Sequence, residues 1–113
     1  MTELAAKRCT PCRGGVEPLS EAAAEAFLKD VPDWQLKDGR RIERTYWFKS
    51  FRQAFAFVGE VAELAEREGH HPDITFGWGY GTISLHTHKI KGLHENDFIM
   101  AAKIDRLPAA NPA

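Results

Sequence analysis

The chain has 113 residues, 43% of them hydrophobic and 27% charged, and a formal net charge of -1 with histidine neutral. That length suits one domain with one core, and the near-zero charge argues against the basic face of a dedicated nucleic-acid binder. No apolar run approaches the roughly 20 residues that a membrane helix needs. Met1 to Arg13 lacks the apolar centre of a signal peptide, so a cytoplasmic protein with no membrane or nucleic-acid partner is expected.

Residues 1–18 read as a flexible N-terminal arm, punctuated by Arg13-Gly14-Gly15 and Pro18. The arm carries both cysteines, Cys9 and Cys12, as Cys-Thr-Pro-Cys. A structural zinc site usually has four ligands, and there is no second CxxC or nearby CxxxH. A redox pair should follow a strand and open a helix, which this polar stretch does not. No essential role is expected for the two thiols, a metal shared with a partner or an adventitious disulfide being the alternatives.

Residues 19–108 read as a single domain, and 109–113 as a frayed tail. Ser20 is placed to cap a short helix, Glu21 to Leu28, which Pro32 stops. Trp34-Gln35-Leu36 suits a short strand, and Lys37-Asp38-Gly39-Arg40 a hairpin turn. From Arg41 to Lys49 the chain alternates, with Ile42, Arg44, Tyr46 and Phe48 on one face of a strand. Ser50 and Gln53 have capping-box spacing at the start of the main helix. Phe51, Ala54, Phe55, Val58, Val61, Ala62 and Ala65 form its expected buried stripe, and Gly69 ends it. Ile74, Phe76 and Trp78 then share one face of a strand, Gly79-Tyr80-Gly81 makes a turn, and a second strand carries Ile83, Leu85 and Thr87 inward. Its other face holds Thr82, Ser84, His86 and His88. A last helix runs from Glu95 to Leu107, with Phe98, Ala101 and Ala102 inward. This order predicts an α+β two-layer sandwich, a small antiparallel sheet of three or four strands with helices packed on one face. So small a sheet has edges that a second copy could cover, so a homodimer or homotetramer is expected.

Three of the five histidines, His70, His71 and His88, lie at the junction after the main helix or at the end of the hairpin that follows. Imidazoles titrate near neutral pH and can both take and give protons. The chain has neither HExxH nor another zinc spacing, so acid–base chemistry without a metal suits these residues better. A carboxylate at Glu66, four residues before His70, could hold an imidazole's tautomer, and Asp97 could orient a site group or favour the last helix's positive end. Phe76, Trp78 and Trp34 could stack on a flat ring.

His70-His71-Pro72-Asp73 followed by a hairpin and Thr87-His88 resembles the signature of the pterin-4a-carbinolamine dehydratase family. Phe51-Arg52-Gln53-Ala54-Phe55-Ala56-Phe57 is similar to the start of that family's long helix, and Gly92-Leu93 with Asp97 resembles its C-terminal segment. The likeness runs from about Pro18 to Leu107, and the Cys-Thr-Pro-Cys arm resembles bacterial members. It implies dehydration of 4a-hydroxytetrahydropterin to quinonoid dihydropterin, which recycles the cofactor of aromatic amino acid hydroxylases. The pterin is then the substrate, and no cofactor is implied. By the same resemblance His70, His71 and His88 are the catalytic residues, with His71 the main proton-transfer group. His70, His71, Pro72, Thr87, His88, Lys89 and Ile90 bind the pterin, and Glu66 and Asp97 support the site. Ile74 stands where some members have a tryptophan beside the pocket, for which Trp78 or Trp34 could compensate. His86 and Lys89 add positive potential beside His88. Two other readings stay open: an enzyme acting on another pterin, such as a molybdopterin-related one, and a non-catalytic interaction or dimerisation module built on the same sheet.

Overall fold

The computed structural model describes residues 3–10 and 16–111. Four antiparallel strands form one sheet in the order β1-β2-β4-β3, where β1 is Gln35–Lys37, β2 Arg41–Trp47, β3 Asp73–Gly77 and β4 Tyr80–Leu85. Three α-helices lie among the described residues, α1 Glu21–Leu28, α2 Phe51–Glu68 and α3 Glu95–Asp105. Side chains alternate across the sheet as period-two geometry requires. Ile42, Tyr46, Ile83 and Leu85 are buried against the helices, while Trp47 on the opposite face is 76% exposed. The α+β sandwich expected from the sequence is the one observed.

Local chemistry explains the element ends. The Ser20 side chain accepts the Ala23 N–H, and Ser50 accepts the Gln53 N–H, so both helices start on a capping hydroxyl. Gly69 ends α2 at φ 66°, the left-handed conformation glycine adopts without strain. Gly81 is not part of a turn, as the sequence suggested. It sits inside β4 opposite Tyr46 and Phe76, and a Cβ there would come 3.3 Å from the Phe57 ring. The missing side chain lets Phe57 lie directly on the sheet.

The buried face of α2 also differs from the expected stripe. Ala54, Phe57, Val61, Leu64 and Ala65 are buried, whereas Phe51 is 49% and Phe55 60% exposed, and Ala62 is exposed. The two stripes obey the same three/four spacing, share Ala54, Val61 and Ala65, and have centres about 70° apart around the helix. Periodicity alone could not choose between them; the fit of Phe57 between Tyr46 and Phe48, at ring distances of 4.5 and 5.2 Å, does.

At its C-terminal end α3 is bound to the sheet through one carboxylate oxygen. Asp105 Oδ1 accepts from Trp34 Nε1 at 3.0 Å, from Arg44 at 2.7 Å and from the Tyr46 hydroxyl. The Arg44 guanidinium also covers the Tyr46 ring at 4.2 Å. Burial, then the bond and charge of Asp105, push the Tyr46 phenol well above its usual range, so it donates at any working pH.

The stretch expected as a flexible arm makes specific contacts where it is described. Leu4, in a short 3-10 turn, is buried against the core. Lys7 pairs with Glu95 at 2.6 Å, the Cys9 N–H donates to Glu68 at 2.9 Å, and Thr10 exchanges two bonds with the Asn96 side chain. Cys12 lies outside the described residues. At the other end, of the expected tail, the Ala109 N–H donates to Glu60 and the Asn111 side chain to the Asp105 carbonyl. Among the described residues no helix is long and apolar enough to cross a membrane.

Removing the Asp105 carboxylate strands the N–H of Trp34 and the O–H of Tyr46, both 3% exposed. Asp105→Ala is expected to cost roughly 2–4 kcal/mol in urea denaturation, since each orphaned donor costs about 1–3; a loss below about 0.5 would show that water replaces the carboxylate. Burial, then the charge and hydrogen bond of Glu68, push the Cys9 thiol up from 9.0 to about 12. A higher pKa means less thiolate at a given pH. In a Cys12→Ser protein, exchange with an aromatic disulfide at pH 8 should therefore run more than tenfold slower folded than in urea, rising with pH toward 12. Equal rates in the two states would mean that residues 3–10 do not stay docked.

Candidate active site

The left-handed turn at Gly69 decides where the two adjacent histidines go. His70 turns inward and is 7% exposed, while His71 turns out, its side chain 61% exposed. Extended backbone sends neighbouring side chains to opposite sides, so the two rings diverge. Inside, His70 Nε2 lies 2.6 Å from Asp97 Oδ1. Asp97, in the first turn of α3, is fully buried and also accepts the Thr87 hydroxyl and the His94 N–H, each at 2.9 Å on Oδ2. With two donors on Oδ2 and the His70 ring on Oδ1, both oxygens of Asp97 are engaged. Asp97 therefore does both things the sequence suggested: it orients a site group and closes the start of its helix, where His94 Nδ1 in turn accepts the Asn96 N–H.

Glu66 does not hold His70, as the four-residue spacing suggested. Its Oε2 lies 2.5 Å from His71 Nε2 instead. The helix stops at Glu68, and the turn after it carries His70 away from Glu66 and leaves His71 beside it. Each histidine of the pair thus has its own carboxylate on Nε2.

His88 reaches its place through a small closed loop. Thr87 and Gly92 bridge backbone to backbone, the Thr87 N–H donating to the Gly92 carbonyl at 2.8 Å. His88–Ile90 make one 3-10 turn, and Lys91 closes it at φ 53°. Gly92 packs so close to Pro18 that a Cβ would come 2.6 Å from that ring. Thr87 points in to Asp97, so His88, next along the chain, points out. It lies with its ring 4.0 Å from the His86 ring, and both border a cavity of about 710 Å³ with Asp38, Arg40, Arg41 and Lys91. Across the hairpin, His86 Nδ1 is 4.0 Å from Asp73 Oδ2.

The structure therefore gathers His70, Thr87 and Asp97 around one buried carboxylate, His71 with Glu66 at the surface beside it, and His88 with His86 and Asp73 on the cavity. Among the described residues no hydrogen bond or ring contact joins His70, His71 and His88 directly. Pro72 is half-buried between His71 and β3, and Lys89 and Ile90 lie in the turn after His88. Of the aromatics considered for ring stacking, Trp34 is 3% exposed in the core with its N–H on Asp105, so it cannot substitute at Ile74. Trp78 is 72% exposed in the β3–β4 turn, and Phe76 packs against Phe51 and Phe55. Sequence reasoning missed Asp38, Arg40 and Arg41 as cavity residues, since the first hairpin has no sequence tie to His88, and also Lys91, which closes the turn that His88 opens. It also missed the Asp73–His86 contact, which the alternation of the second hairpin could have revealed.

A family model described as Pterin 4 alpha carbinolamine dehydratase matches residues 17–107. The chain is 56% identical over 108 residues to a protein of Azoarcus sp. (strain BH72) named "Putative pterin-4-alpha-carbinolamine dehydratase", covering 95% of this chain and 92% of that one. A protein of the same name from Methylococcus capsulatus is 56% identical over 107 residues, 94% of each chain. Among solved structures, a transcriptional coactivator/pterin dehydratase from Brucella melitensis superposes with a TM-score of 0.74 at 34% identity, covering 79% of this chain and 96% of that one. A pterin dehydratase-like protein identified as a RuBisCO assembly factor in the alpha-carboxysome gives 0.56 at 28% identity, covering 71% and 89%. The fold, the His-His-Pro junction tied through Asp97 to Thr87, and a family match that spans nearly the whole domain agree: this chain belongs to the pterin 4 alpha carbinolamine dehydratase family.

Proposed function

We propose that the protein is a hydro-lyase that dehydrates 4a-hydroxytetrahydropterin to quinonoid dihydropterin in the cytoplasm, recycling the cofactor of aromatic amino acid hydroxylases. In that reaction the C4a–O bond breaks and the hydroxyl leaves as water. N5 loses its proton, so one acid and one base suffice. The pterin is the substrate, and the proposed steps use no cofactor. The observation that carries this reading is Asp97, which ties the His-His-Pro junction to the Thr87-His88 turn.

His71 suits the main proton transfer. Its ring is open to a ligand, and Glu66 at Nε2 leaves Nδ1 as the nitrogen that can meet one. His70 is held in one orientation by Asp97, which suits a group that binds and positions rather than one that exchanges with solvent. His88 borders the open cavity, where it can meet the departing hydroxyl, and the backbone from Thr87 to Ile90 offers polar groups to the pterin edge. The Brucella and carboxysome relatives carry names that add a coactivator or assembly role. Here the corresponding reading is self-association. β3 is an edge strand, and Phe51 and Phe55 lie exposed beside its Phe76. We assign that edge and its apolar rim to a second copy of the chain, giving a homodimer or homotetramer.

With synthetic carbinolamine, His71→Ala should lower turnover by about 100-fold or more, the usual weight of one positioned acid–base group. Asp97→Asn should also slow it, because the amide no longer fixes the His70 tautomer. Near-native rates in His71→Ala would end the assignment of that residue. In light scattering coupled to gel filtration, the native protein should run as a multiple of 12.7 kDa and Phe55→Asp should shift toward the monomer. A monomeric native protein would refute the assembly.

A further inference from the structure

We propose that Asp73, His86 and His88 form a site for one borderline divalent cation, of which Zn²⁺ is the natural probe, and that its occupation withdraws His88 from the pterin. The inhibitory half of this proposal rests on the reading of His88 given above; the metal site itself does not.

The three residues come from the two strands of one hairpin. β3 and β4 pair with Asp73 opposite Ser84, which makes Asp73 the diagonal neighbour of His86. His86 and His88 are two residues apart and lie on the same side of the chain, their rings 4.0 Å apart at 58°. One donor atom from each of the three falls within 4.8 Å of the others. Two imidazoles and a carboxylate are a recurrent donor set for zinc with an open position. Bond lengths of about 2.0–2.2 Å then place tetrahedral donors roughly 3.3 Å apart. Small side-chain rotations close that gap. The Asp73 side chain is 69% exposed and His88 is exposed, so neither rotation disturbs the core.

The surroundings set the strength. Arg40, Arg41 and Lys91 border the same cavity and oppose a cation. Arg41 is engaged by Glu43 at 2.6 Å and Asp38 at 3.7 Å, which offsets part of its charge. The carboxylate of Asp73, across from His86, supplies the anionic ligand of the set. The opposing charge weakens the site, which suits a reversible inhibitor rather than a structural ion. A bound ion takes the His88 lone pair, and a ligated imidazole can neither accept nor deliver a proton at the departing hydroxyl.

The test is calorimetric titration of Zn²⁺ alone into the protein with Cys9→Ser and Cys12→Ser, which removes the thiols as competing ligands. One site per chain is expected, weakened at least tenfold by His86→Gln and by Asp73→Asn, each checked for fold by circular dichroism. If His86→Gln does not fold, Asp73→Asn, at an exposed position, carries the comparison. Undiminished binding in the variants overturns the site. In the dehydration assay Zn²⁺ should inhibit the parent competitively and spare His86→Gln, each measured against its own metal-free rate. Binding through His86 with no inhibition would keep the site, overturn the inhibition, and count against His88 in the reaction.

Discussion

A carboxylate with no contact to solvent is costly to bury unless hydrogen-bond donors surround it. Asp97 is such a group, and three segments meet to supply it: the His70 ring from the end of α2, the Thr87 hydroxyl from the end of the second hairpin, and the His94 N–H from the start of its own helix. The site's layout depends on this convergence. His71 and His88 are each the next residue after a group bound to Asp97, so the buried contact positions two exposed imidazoles without touching either. A substitution at Asp97 would loosen both at once.

The helix that carries Asp97 is anchored at both ends by carboxylates. Asp97 holds its first turn to the site, and Asp105 holds its last to Trp34, Arg44 and Tyr46. Between them Phe98, Ile99, Met100, Ala101 and Ile104 are buried. This helix has lost most of its solvent face and acts as the strut between sheet and site. The N-terminal segment adds a third tie through Asn96, directly beside Asp97. Rigid support of this kind is what a small site without a deep enclosed pocket needs in order to hold its side chains in place.

The three histidines of the motif have three different environments. One is buried on a carboxylate, one is exposed with a carboxylate, and one stands beside a second imidazole on a cationic cavity. Chemically similar side chains are thereby set apart through their neighbours rather than their type. Trp47, Trp78, Phe51 and Phe55 remain exposed around the sheet.

Alternation and capping residues were enough, from the sequence alone, to place the three helices, the four strands and the two-layer fold, because those signals are local: Ser20, Ser50 and Gly69 each act within one turn of chain. The His-His-Pro and Thr-His motifs were legible for the same reason. What the sequence left open was every choice between locally equivalent options. Two stripes of α2 have equal spacing, and only the seat of Phe57 over Gly81 selected one. Glu66 had two histidines within reach, and the backbone turn at Gly69 gave it His71. Asp97 could be read as a helix-end charge, and only the meeting of α3 with two distant segments made it the centre of the site. Of the residues around His88, Asp38, Arg40 and Arg41 come from the first hairpin, which meets it only after β2 has paired with β4. Tertiary structure decided these points because they depend on the path of the backbone after Gly69 and on the packing of segments far apart in sequence, which helical spacing and strand alternation do not encode.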